Sequence, residues 1–341
     1  MYTINDYVEY YKDNTFKEYP FNENDALLLS ILTYLPFEQN IEKITLSSLI
    51  KLFSDYDTDK KGIMVNSAVT LLRELRFSKR FKELVFYNVV NDVNDEYQFG
   101  AYVTILDNKK IVCFKGTDNS LIGWKEDFCL SFDYLTKTQK VAIDYLKKIP
   151  FSYENKVILL GHSKGGNLAI ASAINYHNFY NRVVKIYNFD GPGLPSKIIH
   201  SKEWDNIKDK VINYVPEDSI VGMLLNNENY LAVKADGIGI KSHYLPNWHV
   251  FGTYLEKGEL SKASIKLHKG SNNSLAAVDH NELKVVVNSF FDLLKREGLK
   301  TTSDFRKLGP SDYKRLFKEI TDVSDETKKF FSEFLKTFFM G

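Results

Sequence analysis

The sequence has little cysteine and no long apolar run. Only two of its 341 residues are cysteines, Cys113 and Cys129, and both lie in apolar segments. So few cysteines exclude a disulfide-rich scaffold and favour a reducing compartment. No segment reaches the roughly 20 consecutive apolar residues that a membrane-spanning helix needs, and the N-terminal residues lack the apolar stretch of a signal peptide. We therefore expect a cytoplasmic protein.

The chain also lacks an excess of charge of either sign. Its 45 basic and 44 acidic residues give a formal net charge of +1, which provides no electrostatic argument for binding nucleic acid. Hydrophobic residues make up 44% of the chain and charged residues 26%, as in ordinary globular proteins that bury a sizeable core. The composition thus favours a folded globular protein whose partners are neither nucleic acid nor strongly acidic.

Three stretches of the chain differ in hydrophobic pattern. Residues 1–80 have apolar residues at helical spacing, as in the segment ENDALLLSILTYL. Residues 81–285 begin with a meander of β-branched and aromatic strands and then alternate strand with helix, which predicts parallel strands joined by crossover helices. Residues 286–341 are again helical. The sequence therefore predicts an α/β core, with a mostly parallel central sheet flanked by helices, and helical extensions at both ends.

The segment LLGHSKGGNLAI places Ser163 between an apolar strand and a helix rich in small residues. A Gly-x-Ser-x-Gly sequence in this setting is the nucleophile elbow of serine hydrolases. Gly161 and Gly165 permit the tight turn, which forces Ser163 into a strained backbone conformation. A phosphate-binding loop does not fit, because Lys164 precedes the glycine pair instead of following a Gly-x-x-x-x-Gly. We predict that Ser163 is a nucleophile; the alternative is a glycine-rich turn that happens to contain a serine.

A serine nucleophile needs a histidine base and a carboxylate that orients the base. In an elbow-containing fold the chain order is serine, acid, histidine. Two acids follow strand ends downstream of Ser163; Asp218 is favoured because it follows the later strand, and Asp190 remains the alternative. His243 follows the last predicted strand and is the favoured base, with His280 as the main alternative.

The oxyanion that forms during acyl transfer needs preorganised N–H donors. One comes from the residue after the nucleophile, Lys164, and another from an earlier strand–loop junction. The segment IVCFKGTDNS supplies such a junction, in which Thr117 offers its backbone N–H and its hydroxyl; the alternative is an ordinary β-turn at Gly116. Because this apparatus needs neither a metal nor an organic cofactor, we expect none.

Several segments, taken in order, resemble a bacterial family of uncharacterised lipase-like α/β-hydrolases that is distantly related to the class 3, or fungal-type, lipases. The segments are NENDALLLSILTYL, FKGTDNSLIGWKEDF, GHSKGGNLA, YNFDGPGL, VPEDSIVGMLL and SHYLPNW. The resemblance covers most of the chain and implies the α/β-hydrolase fold. In class 3 lipases a Phe-Arg-Gly-Ser/Thr segment places its last residue in the oxyanion hole, which corresponds here to Thr117, with Lys115 in place of the arginine.

The same resemblance bears on the acid and the base. The class 3 acid lies in an Asp-x-Val segment, which corresponds to Asp218 with the valine one position later. In the bacterial family the histidine usually appears as Gln-His-Asp ahead of a tryptophan, as His243 stands ahead of Trp248, although Ser242 and Tyr244 replace its usual neighbours. Class 3 lipases often place the histidine later, after an aspartate, which suits His280.

The resemblance implies a serine hydrolase that cleaves a carboxylic ester through an acyl-enzyme, with a lipase- or lysophospholipase-like substrate. The alternatives are a non-catalytic binding protein of this fold, and a thioesterase or peptidase with the same triad. The segment SIVGMLLNNENYL is apolar enough to border an acyl pocket. The C-terminal helix KKFFSEFLKTFF carries phenylalanines on one face, which predicts docking on the protein itself or on a second subunit, with weak contact to a membrane surface as the alternative.

Overall fold

The fold is built around one eight-stranded sheet. The computed structural model describes residues 1–59, 61–151, 156–176, 179–305, 307–321 and 323–339, and the side chains at 276, 334 and 337–339 lie outside that description. The sheet strands are β1 (Ile41–Thr45), β2 (Val85–Val93), β3 (Gln98–Leu106), β4 (Lys109–Phe114), β5 (Lys156–His162), β6 (Val183–Phe189), β7 (Val211–Pro216) and β8 (Tyr230–Val233). They lie in chain order across the sheet; β1 to β4 pair antiparallel, and β4 to β8 pair parallel.

A two-stranded hairpin and a set of helices surround the sheet. The hairpin consists of β9 (Val250–Phe251) and β10 (Tyr254–Leu255). The helices are α1 (Ile4–Tyr11), α2 (Glu23–Leu32), α3 (Leu46–Leu52), α4 (Ile63–Glu74), α5 (Leu121–Cys129), α6 (Lys137–Lys148), α7 (Lys164–Asn175), α8 (Ser196–Ile199), α9 (Lys202–Asp205), α10 (Lys262–Ala277), α11 (His280–Arg296), α12 (Thr302–Phe305), α13 (Pro310–Glu319) and α14 (Asp325–Phe339).

The two faces of the sheet carry separate cores, because side chains alternate along each strand. In β5, Ile158 and Leu160 belong to the core that includes the N-terminal helices, whereas Val157 and Leu159 belong to the core formed with α6 and α7. A parallel strand buried on both faces needs a continuous apolar sequence, which explains the run KVILL. The predicted α/β-hydrolase class, with a mostly parallel central sheet flanked by helices, is confirmed.

The N-terminal 80 residues contribute a strand to the central sheet in addition to helices. Their strand β1 pairs with β2, with Ile41 opposite Val89. The segment IEKIT lacks strict alternation of apolar and polar residues, so its sequence did not predict a strand. Helix α2 lies deep in the core, where the buried Asp25 carboxylate pairs with the Arg80 guanidinium at 2.5 Å. This pair ties the N-terminal segment to the chain that leads into β2.

The C-terminal helices form a third core with α5. Helix α14 buries Phe331 and Leu335 against this core, and Phe331 packs edge-on against Phe128 and Phe290. The predicted docking of this helix on the protein itself is therefore observed for its described part; the side chains of residues 334, 338 and 339 lie outside the described residues. Membrane contact through this helix remains a prediction. Within the described ranges, none of the helices has the length and apolarity to cross a bilayer.

Candidate active site

Ser163 occupies the turn between β5 and α7, as the sequence predicts. Its backbone has φ +57° and it is the N-cap residue of α7. The turn is possible because two glycines approach each other: a Cβ on Gly161 would overlap the backbone of Gly165. A Cβ on Gly165 would in turn meet the Phe114 carbonyl of β4. A strained, nearly buried serine at the carboxyl edge of a parallel sheet is the arrangement expected of a nucleophile elbow.

The imidazole of His243 is held by a buried carboxylate. Its Nδ1 lies 2.6 Å from Oδ2 of Asp190, which is fully buried. The other oxygen, Oδ1, accepts hydrogen bonds from the Ser219 hydroxyl at 2.5 Å and the Gly222 N–H at 3.1 Å. Because Nδ1 must carry the proton that is donated to the carboxylate, Nε2 of His243 is left as the basic nitrogen.

Asp218, the favoured acid in the sequence analysis, is not the carboxylate beside His243; that carboxylate belongs to Asp190. Asp190 is the first residue after β6 and has φ +49°, which turns its side chain toward the His243 loop. The main-chain carbonyl of Asp218 contacts that loop, where it accepts a hydrogen bond from the Ser242 hydroxyl at 3.2 Å. The hydroxyl of its neighbour Ser219 donates a hydrogen bond to the Asp190 carboxylate. The alternative named in the sequence analysis, Asp190, therefore takes the position.

His280, the alternative base, lies away from Ser163. It is the first residue of α11, is exposed, and its Nε2 contacts the Leu275 carbonyl at 3.3 Å. Ser163 and His243 instead line the same cavity. Among the described residues, no hydrogen bond joins the Ser163 hydroxyl to His243 in this conformation. The structure thus brings Ser163, His243 and Asp190 to one edge of the sheet, and leaves His280 outside it.

The loop after β4 lies directly against the nucleophile turn. A Cβ placed on Gly116 would come within 3.2 Å of the Ser163 Cβ. The next residue, Thr117, and the first residue of α7, Lys164, have backbone N–H groups that donate to no protein acceptor within the described chain. The Lys164 N–H stands at the start of α7, where unpaired N–H groups are suited to stabilising negative charge. Both predicted oxyanion donors therefore have N–H groups without a protein acceptor in the described chain.

The side chains of Thr117 and Lys164 form hydrogen bonds with other protein groups. The Thr117 hydroxyl donates to Oδ2 of Asp127 at 2.6 Å, so of its two donor groups only the backbone N–H has no protein acceptor in the described chain. The Lys164 ammonium is buried and donates to the carbonyl and the side chain of Gln98 at 3.0 and 2.7 Å. Burial raises the pKa of Asp127 to about 6, even though the Lys164 charge acts in the opposite direction.

A cavity of about 870 Å³ opens above Ser163 and falls within the roughly 300–1,000 Å³ typical of ligand pockets. Its walls differ in chemistry. One wall is polar and comprises Asn91, Lys115, Asp118, Asn119 and Ser120. A second wall is apolar and comes from the segment after β7, the loop after β8 and the C-terminal helices: Val221, Leu224, Leu225, Ile240, Leu275, Leu283, Phe330 and Phe331. The segment SIVGMLLNNENYL thus borders the cavity, as the sequence predicts.

The polar wall is electrically balanced. The buried Lys115 ammonium donates to Oδ1 of Asn91 at 3.1 Å and lies 3.5 Å from Asp118. Burial lowers the pKa of Lys115, while the Asp118 charge opposes that change. The paired charges cancel, so this wall suits a polar uncharged group better than an ion. In the part of the chain that the structure describes, no group of three or more His, Cys, Asp or Glu side chains is placed to hold a metal ion.

His162 and Tyr34 were not predicted as part of the site. His162 is too close to Ser163 along the chain to act as its base, yet its ring lies 4.4 Å from that of His243 between ring centres. Tyr34, in the N-terminal segment, donates its hydroxyl proton to His162 Nδ1 at 2.8 Å. Only the tertiary structure brings these residues together, so no local sequence signal could have revealed Tyr34.

Comparison with solved structures finds distant similarity to several lipases. M37 lipase is 15% identical with a TM-score of 0.39, over 59% of this chain and 70% of that one. A mutant form of MDLA from Penicillium cyclopium is 9% identical with a TM-score of 0.40, over 72% and 87%. Lip2 lipase from Yarrowia lipolytica is 12% identical with a TM-score of 0.37, over 72% and 85%. Similarity this low is too weak to carry an activity over to this chain.

Comparison with protein families gives a firmer result. None of the curated proteins that were compared matches the chain. A family model described as Mbeg1-like, however, matches residues 75–292, which include the nucleophile turn, Asp190 and His243. Since this match spans well over half of the sequence, the chain belongs to the Mbeg1-like family.

Proposed function

We propose that this protein is a serine hydrolase that cleaves carboxylic esters, with Ser163 as nucleophile, His243 as base and Asp190 as the orienting acid. One observation carries the proposal: the buried Asp190 carboxylate holds His243 Nδ1 at 2.6 Å, at the edge of the cavity that Ser163 also lines. A buried histidine–carboxylate pair beside a strained serine matches the relation of base, orienter and nucleophile in serine hydrolases.

The residues perform acyl transfer in two steps. Ser163 Oγ attacks the carbonyl carbon while its proton passes to His243 Nε2, and the carbonyl oxygen becomes an oxyanion facing the N–H groups of Lys164 and Thr117. His243 then donates that proton to the departing alkoxide, which leaves an acyl-enzyme. Water attacks the acyl-enzyme by the same route and releases the carboxylic acid. Asp190 keeps the proton of Nδ1 in place and stabilises the imidazolium.

The Ser163–His243 hydrogen bond forms in this account when substrate enters. Catalytic hydrogen bonds are often long or poorly aligned in ligand-free structures and tighten in the substrate complex. The free N–H groups at Lys164 and Thr117 draw the carbonyl oxygen toward them, which places the carbonyl carbon over Ser163. The base is already oriented, because Asp190 and the loop around His243 are buried.

The two walls of the cavity indicate the kind of ester. The apolar wall accommodates an acyl chain, and the balanced polar wall around Lys115 and Asp118 accommodates a polar, uncharged alcohol. A lipid ester with one acyl chain and a hydroxyl-bearing leaving group can place the chain against the apolar wall and the hydroxyl groups against the polar wall. Esters whose two sides are both bulky and apolar exclude water from the polar wall and offer no hydrogen bond in its place, which disfavours them.

The experiment compares hydrolysis by the purified protein and two serine variants. p-Nitrophenyl esters of increasing acyl length are the substrates, with the thioester and anilide of the best acyl chain as further arms. We expect wild type to hydrolyse an ester, and so should the control Ser172→Ala, which replaces a buried serine of helix α7. In Ser163→Ala the rate of hydrolysis should fall by more than about 10³-fold. Folded wild type that hydrolyses none of these substrates would overturn the proposal.

A further inference from the structure

His162 is fixed on both of its ring nitrogens. Nε2 lies 2.8 Å from the main-chain carbonyl oxygen of His243, and Nδ1 lies 2.8 Å from the hydroxyl of Tyr34. All three groups are buried. A carbonyl oxygen only accepts hydrogen bonds, so Nε2 carries a proton and donates it. Nδ1 therefore has a free lone pair and accepts the proton of the tyrosine hydroxyl.

The surroundings keep His162 neutral. Burial, together with the neighbouring His243, holds the pKa of His162 well below its usual range. A neutral His162 does not compete with His243 for the proton of Ser163. It also avoids placing a second positive charge beside the imidazolium that forms during acyl transfer.

We propose that His162 and Tyr34 are positioning residues that set the distance between nucleophile and base, so that the N-terminal segment forms part of the catalytic apparatus. This inference rests on the proposed function. His162 directly precedes Ser163, and its Nε2–H is bonded to the backbone of His243. One hydrogen bond therefore links the residue before the nucleophile to the residue that carries the base.

The loop that carries His243 needs such a link, because it has little regular structure. It lies between short 3₁₀ turns at 239–241 and 245–247. The Trp248 indole fixes one side of the loop by donating to the Ser242 carbonyl at 2.8 Å. His162 fixes the next carbonyl, that of His243 itself. Loss of this bond lets the imidazole move relative to Ser163, and misplacement by about 1 Å costs catalysis on the order of 10²-fold.

Tyr34 in turn is held rigidly by helix α2. Its backbone N–H donates to the Ile31 carbonyl at 3.0 Å, at the end of that buried helix. Its hydroxyl also packs against Gly116, where an added Cβ would overlap it. The same hydroxyl thus touches both the loop that carries Thr117 and the histidine behind the base. Tyr34 lies outside residues 75–292, so this contribution comes from beyond the matched family region.

The test compares two tyrosine-to-phenylalanine variants. Tyr34→Phe removes only the hydroxyl that bonds His162. Tyr102→Phe is the matched control, because its buried hydroxyl donates to the Leu29 carbonyl of α2 at 2.7 Å and takes no part in the site. We expect both variants to lose similar thermal stability. Only Tyr34→Phe should lower kcat, by about tenfold with KM little changed, which is the effect of one hydrogen bond of ordinary strength.

A second measurement does not depend on activity. In protein labelled with ¹⁵N at histidine, long-range ¹H–¹⁵N spectra should show His162 as the neutral Nε2–H form from about pH 5 to 8. Tyr34→Phe should shift its Nδ1 resonance. A His162 that titrates in this range, or an active wild type whose kcat is equal in Tyr34→Phe and Tyr102→Phe, would overturn the inference. Inactive wild type would instead refute the proposed function, and the spectra would still test the hydrogen bonds.

Discussion

Replacing Asp190 with asparagine should change the proton on His243 while leaving the shape of the site intact. Oδ1 of residue 190 accepts hydrogen bonds from Ser219 and Gly222. The asparagine carbonyl can keep both bonds, so its NH₂ group takes the place of Oδ2 and donates to His243 Nδ1. His243 then carries its own proton on Nε2 and cannot accept the proton of Ser163.

The expected loss is large. A wrong histidine tautomer in a Ser-His-Asp triad lowers kcat by about 10⁴-fold, which corresponds to about 5.4 kcal/mol of transition-state stabilisation. Folding should be preserved, since asparagine tolerates the left-handed backbone that residue 190 adopts at φ +49°. The assay is kcat for the best p-nitrophenyl ester, with the thermal midpoint measured on the same preparations.

Asp218→Asn is the matched control. This variant keeps the main-chain carbonyl that accepts the Ser242 hydroxyl, and it changes a side chain that does not bond His243. Its kcat should stay within about twofold of wild type. The reasoning is refuted if Asp218→Asn loses activity while Asp190→Asn retains more than about a tenth of it.

Three further predictions concern the surroundings of the site. Burial raises the pKa of Glu126 from 4.5 to about 7, so the folded state retains a proton there that the unfolded state releases, and stability falls as the pH rises through this window. In denaturant unfolding, the free energy of unfolding of Glu126→Gln relative to that of wild type should therefore rise by about 3 kcal/mol from pH 4 to pH 8. The same difference between variant and wild type at both pH values would contradict this. Thr117→Val keeps the backbone N–H and removes a hydroxyl already bonded to Asp127, so kcat should fall less than tenfold; a loss of about 10²-fold or more would show that the hydroxyl serves the oxyanion. Leu275→Trp fills the apolar wall, so kcat/KM should fall about tenfold for acyl chains of about ten carbons and little for acetate esters, whereas equal losses would place the acyl chain elsewhere.

Much of the fold could be predicted because its signals are local. The apolar run before Ser163, the small residues after it and the alternation of strand with helix follow from periodicity. Strand β1 was missed because Ile41 and Ile44 do not alternate, and its pairing with β2 is decided by tertiary contacts. The division of the chain at residues 80 and 285 remains a prediction, because β1 and helix α2 share the sheet and its core.

The site was predictable only in part. The glycines around Ser163 carry a local signal, because only glycine fits where Gly161 meets Gly165. The choice between Asp190 and Asp218 depends on a positive φ at Asp190 and on where the His243 loop returns to the sheet, which no spacing encodes. The hydrogen bond of Tyr34 joins residues 128 positions apart, and it too depends on the folded chain.

The most direct test of the central claim is covalent labelling of the folded protein with a fluorophosphonate, followed by peptide mass spectrometry. The account predicts one phosphonylated site, at Ser163, that forms at a similar rate in Ser172→Ala and disappears in Ser163→Ala. It also predicts that His243→Ala slows labelling by more than about 10²-fold, whereas His280→Ala does not. A well-folded wild type that resists labelling, or an adduct on another serine, would contradict it.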